Sequence, residues 1–135
     1  MSITRRDALM SAVLPLITAM TGAAQAPVNT AVFNHELPNL TMDDWQVSVN
    51  EITYPPGYSG AAHKHPGFVL VYVLQGQLVA KVSGTAEATF AAGQMFYEQP
   101  GSTHEVSRNA SATQPAKFLA FIFAKKGLPL TTSAQ

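Results

Sequence analysis

The sequence predicts an all-β domain closed into a barrel, and three observations carry that expectation. Apolar residues make up 47% of the chain but fall in short runs, nine glycines and nine prolines break those runs, and no mature segment keeps a helical period. Charged residues are only 12%, which suits a compact, turn-rich domain better than a disordered one. A length of 135 residues gives one core and no second domain, so any site sits in or on that core.

Residues 1–26 form an export signal in this reading. Thr4-Arg5-Arg6-Asp7-Ala8-Leu9-Met10 is followed by a mildly apolar run from Ser11 to Ala24, and the segment ends in small residues at Gly22-Ala23-Ala24-Gln25-Ala26. The arginine pair resembles the twin-arginine signal, which sends folded, often cofactor-loaded proteins to the periplasm. Pro15 and the scattered Ser, Thr and Ala make the run too weak for a committed membrane span, so no stable membrane insertion is expected after cleavage.

Residues 27–44, with Pro27 and Pro38, lack a period and are expected as an extended arm. From Trp45, alternation puts Val47 and Val49 on one face, with Ile52 and Tyr54 out of phase, which predicts a bulged strand ended by Pro55-Pro56-Gly57. Phe68–Leu74 and Gln77–Val82 flank Gln75-Gly76 and are expected as a hairpin with one strand buried on both faces. Thr85–Phe90, Met95–Glu98, His104–Arg108 and Lys117–Ala124 follow as short strands, so the barrel occupies residues 45–126 and residues 127–135 are left as a tail. The run Phe118–Phe123 is apolar on both faces, more than one barrel wall needs, and predicts a homodimer.

Composition also excludes chemistries. No cysteine is present, which removes thiolate catalysis, cysteine metal sites and disulfides. The net charge is zero and the lysines and arginines are dispersed, so no nucleic-acid partner is expected. Histidine and carboxylate chemistry remain. In His63-Lys64-His65 the imidazoles stand at i and i+2, on one face of an extended strand, and His104 follows the Pro100-Gly101 turn as the third nitrogen donor for one divalent transition metal. Glu98, with even parity to His104, is the candidate catalytic group, as a hydrogen-bond partner of a ligand imidazole or a proton relay. Glu105 should face away, His35 lies in the arm and is unassigned, and Val69, Val71 and Val73 with Met95, Phe96 or Tyr97 should line an apolar cavity.

These residues resemble the cupin superfamily. Its first motif is Gly, five residues, His-x-His, three or four residues, Glu, six residues, Gly; Gly57, His63, His65 and Gly76 meet every spacing, while Val69 or Leu70 stands in place of the glutamate. Its second is Gly, five residues, Pro-x-Gly, two residues, His, three residues, Asn; Gly93, Gly101 and His104 fit, with Gln99 at the proline position and Arg108 where asparagine is usual. The resemblance implies a double-stranded β-helix, or jelly-roll, barrel that commonly pairs as a dimer. It implies a small-molecule metalloenzyme of dioxygenase type, because a neutral three-histidine centre leaves open positions for oxygen or a chelating substrate. A non-redox lyase, decarboxylase or isomerase is the alternative, and a ligand- or metal-binding module without turnover the third. Fe(II) is favoured as the metal, since twin-arginine export points to loading in the cytoplasm; Mn, Ni, Zn and Cu fit the same donors.

Overall fold

A computed structural model describes residues 22–134, so the twin-arginine segment lies outside the described residues apart from its last five positions. The ten strands are β1 (Trp45–Tyr54), β2 (Ser59–Gly60), β3 (His63–Lys64), β4 (Phe68–Gln75), β5 (Gln77–Val82), β6 (Ala88–Ala91), β7 (Met95–Glu98), β8 (Thr103–Asn109), β9 (Ala116–Lys125) and β10 (Thr132–Ser133). Among the described residues no helix forms, and none is long and apolar enough to cross a membrane. The strands make two sheets, β1-β9-β4-β7 and β10-β3-β8-β5-β6, with β2 added against β8.

The centre of the four-stranded sheet is β9, paired over its full length with β1 and on its other side with β4. Its even residues Phe118, Ala120, Ile122 and Ala124 are buried and meet Val69, Val71 and Val73 of β4 in one core. Leu78 and Ala80 of β5 and Phe96 of β7 complete that core from the facing elements. The odd residues Leu119, Phe121 and Phe123 lie half-buried on the outside, with Val47 and Val49 beside them on β1 about half exposed (52% and 50%). The outer face is therefore apolar, as the Phe118–Phe123 run foretells.

Two expectations change. No bulge breaks β1, whose register runs unbroken from Trp45 opposite Lys125 to Tyr54 opposite Ala116. The phase change in sequence arises because Val47 and Val49 belong to the outer face and Ile52 and Tyr54 to the inner one. Nor do β4 and β5 form a hairpin: β4 pairs with β9 and β7, whereas β5 pairs with β8 and β6 in the other sheet. The link is a corner rather than a turn. Gly76 sits there at φ 71°, and a Cβ on it would lie 2.6 Å from the Pro115 carbonyl oxygen, so the chain passes between sheets through a gap only glycine fits.

The tail also takes a defined place. Thr132 and Ser133 pair with Lys64 and His63, and the Ala134 amide donates to the Ala62 carbonyl at 3.2 Å, so residues 132–134 extend the six-stranded sheet next to the histidine pair.

Candidate metal centre

His63 and His104 are direct cross-strand partners of β3 and β8 in the six-stranded sheet, and their ring centroids lie 4.9 Å apart. Glu98 arrives from the facing sheet, at the end of β7, before the Gln99–Ser102 turn that leads to β8. Ligand atoms of His63, Glu98 and His104 fall within 4.8 Å of one another, an arrangement able to hold a metal ion. The His65 ring is 4.9 Å from that of His63, and its Nε2 is 3.6 Å from one Glu98 oxygen. Nδ1 of His104 lies 3.1 Å from the other. All four residues named from sequence therefore meet around one carboxylate.

Glu98 lies beside the gap in the first motif. Val69, which stands where a glutamate is usual, is the cross-strand neighbour of Glu98. A carboxylate thus stands on the adjacent strand of the same sheet, beside the position the motif usually gives to glutamate. A pass along the sequence sees a missing glutamate, since strand pairing is not visible there.

Donor chemistry fits a cation. Glu98 is 4% exposed, and among the described residues no Lys or Arg pairs with it; only imidazoles approach. A buried carboxylate without a cation is costly, and a bound metal removes that cost. Nε2 of His104 is buried with no hydrogen-bond partner. Ring nitrogens of the other two histidines are fixed by the backbone. Nδ1 of His63 donates to the Ala61 carbonyl at 3.0 Å and Nδ1 of His65 to the Leu130 carbonyl at 2.6 Å, so both Nε2 atoms carry free lone pairs. Burial holds the His63 imidazole below its ordinary 6.5, and the His104 and His65 rings add to this, against the Ala61 hydrogen bond and Glu98. The shift favours the neutral imidazole, the form able to ligate a metal.

The cavity next to these groups has a volume of about 120 Å³. Val69, Val71 and Ile122 give it apolar walls, and Asn50, Tyr54 and Ser107 add polar ones. Tyr54 Oη and Ser107 Oγ are hydrogen-bonded at 2.9 Å, and burial raises the Tyr54 pKa above 10.0. A register shift in the β5–β8 pairing, between Lys81 and Val82, turns both His104 and Ser107 inward although they are three residues apart. Glu105 faces out and pairs with Lys81. Val73 belongs to the core rather than to this cavity, and Met95 and Tyr97 face elsewhere. They line a second, open cavity of about 240 Å³ together with Phe33 and His35 of the arm and with Phe96, which lies edge-on to the His104 ring.

Residues 50–122, more than half the chain, match the cupin domain family. The chain belongs to that family. Among solved structures, this cupin superposes on the DMSP lyase DddQ from Ruegeria pomeroyi with a TM-score of 0.57 at 16% identity, over 65% of this chain and 43% of that one. A conserved double-stranded β-helix protein from Klebsiella pneumoniae gives 0.53 at 23% identity, over 71% and 75%. A predicted oxalate decarboxylase from Thermotoga maritima gives 0.50 at 28% identity, over 57% and 64%. The cupin spans less than half of the DMSP lyase chain. No curated protein matches it in sequence.

Proposed function

We propose that this cupin is a divalent-metal lyase or decarboxylase acting on a small oxygen-chelating acid, with His63, His65, His104 and Glu98 as the metal-holding set. The observation that carries the proposal is the buried Glu98 carboxylate among three imidazoles, two of them held by the backbone with Nε2 free. A divalent ion bound there supplies Lewis-acid polarisation of a substrate oxygen. Three neutral imidazoles and one carboxylate against a divalent charge leave a net charge of about plus one, so a small monoanion suits the site.

The protein's own groups do the rest. Tyr54 stays protonated far above neutral pH and has a hydroxyl to donate to a substrate oxygen, steadied by Ser107. Val69, Val71 and Ile122 exclude water from the reacting face. A volume of about 120 Å³ is far below the roughly 300 Å³ at which sites for drug-sized ligands begin, so the substrate has few heavy atoms. The lyase and decarboxylase named among the structural neighbours agree with this chemistry class.

A dioxygenase with Fe(II) is the second reading, favoured if Glu98 stays outside the coordination sphere and the ligand set is three neutral imidazoles. Export to the periplasm through residues 1–26 and pairing through the outer face of β9 belong to the same proposal. The test uses protein beginning at residue 27, loaded in turn with Mn(II) and Fe(II) and given a panel of oxo-acids and diketones. Carbon dioxide release from the oxo-acids without oxygen uptake supports the proposal. Oxygen uptake in step with turnover replaces it by the dioxygenase, and an equivalent of metal with no turnover on any member replaces it by a binding module.

A further inference from the structure

We propose that the C-terminal segment Leu130–Ala134 is a working part of the metal centre, a strap that sets the His65 tautomer and so controls metal affinity. The inference rests on the metal-site reading above.

Four contacts converge on this segment. The Leu130 carbonyl accepts from His65 Nδ1 at 2.6 Å, and Thr131 Oγ1 lies 3.4 Å from the same nitrogen. Thr131 also lines the site cavity. Thr132 and Ser133 pair with Lys64 and His63, and the Ala134 amide bonds to the Ala62 carbonyl. The strap therefore grips β3, which carries His63, and directly reaches the ring of His65 one residue beyond it.

A neutral imidazole has one N–H and one lone pair, and what the N–H bonds to decides which nitrogen can ligate. A carbonyl is only an acceptor, so Leu130 requires a proton on Nδ1, and in the neutral ring this leaves Nε2 bare, facing the Glu98 oxygen 3.6 Å away. Lone pair and carboxylate repel unless a cation lies between them, so the strap holds His65 in a state that favours the ion. His63 is held the same way by Ala61, two residues before it, a local contact. The His65 partner is 65 residues distant, so its tautomer depends on the chain end staying docked. Thr132 and Ser133 are exposed and their pairing is two residues long, so this part of the strap can open locally, while the Leu130 side chain packs against the core.

The experiment reads the ring nitrogens directly. Long-range ¹H–¹⁵N correlation of the metal-free full chain should place the His65 proton on Nδ1. Thr132→Pro removes an amide and disrupts the two-residue pairing. It should shift His65 toward the Nε2–H form and raise the Mn(II) and Zn(II) dissociation constants by about 10- to 100-fold. Reciprocally, metal added to the wild type should slow hydrogen exchange at the Ala134 amide. A wild-type His65 with its proton on Nε2 overturns the proposal, as does a folded Thr132→Pro protein with unchanged metal affinity. If Thr132→Pro does not fold, the wild-type tautomer decides alone. If the wild type binds no metal, the metal-site reading fails while the tautomer result still answers whether the strap sets His65.

Discussion

Single residues do two separable jobs in this cupin. Asn109, 4% exposed, is structural: its Nδ2 lies within bonding distance of the carbonyls of Tyr54, Pro55 and Gln114, and its Oδ1 accepts from the Ser111 amide. It ties the end of β1 to the loop before β9. Asn109→Ala strands several buried groups and should cost about 3 kcal/mol, read as a lowered urea midpoint at unchanged slope; a loss below about 1 kcal/mol would mean water takes over those bonds. Tyr54 marks the other job. Its folded pKa is raised, so above pH 10 the unfolded chain releases the proton first and stability falls as pH rises. The contribution is complete below the ordinary 10.0 and lost above it. Tyr54→Phe should therefore lose less stability than the wild type between pH 9 and pH 11, and equal losses in both proteins would refute the assignment.

At the scale of elements, corners matter more than strands. His65-Pro66-Gly67 carries the chain from the six-stranded sheet to β4 in the other, and a Cβ on Gly67 would fall 1.8 Å from the Phe123 carbonyl oxygen. Gly67→Ala should push the His65 corner off β9 and lower both the thermal midpoint and metal stoichiometry; a variant retaining both would show that β9 yields. The sequence makes the strands legible because alternation and turn residues are local signals: Gln77–Val82 and Met95–Glu98 match in full, the other expected strands differ at their ends, and only the two-residue strands β2, β3 and β10 go unseen. The β4–β5 corner was misread as a hairpin, since Gln-Gly between apolar runs looks the same whether the strands pair or part. Site histidines were legible from spacing. What stayed hidden was whatever depends on partners distant in sequence: Glu98 opposite Val69, Leu130 on His65, and Tyr54 with Ser107.

For the whole molecule, the candidate centre matters because its groups come from both sheets. Glu98 comes from one sheet and His63 and His104 from the other, so an ion bound among them cross-links the sandwich. Binding confined to the folded state adds RT ln(1 + [L]/Kd), about 2.7 kcal/mol at a hundredfold excess over Kd. For a domain of this size that raises the melting temperature by roughly 10 °C. Mn(II) titrated into chelator-treated protein should produce such a rise, and Glu98→Gln should shrink it, because the substitution removes the only carboxylate of the set while nearly preserving volume. The metal-free Glu98→Gln protein should melt at or above the metal-free wild type, since the amide carries no uncompensated buried charge. Lower stability in both forms would point instead to Glu98 as a structural hydrogen-bond acceptor. An undiminished Mn(II) shift would place it outside the coordination sphere and return the centre to three neutral histidines.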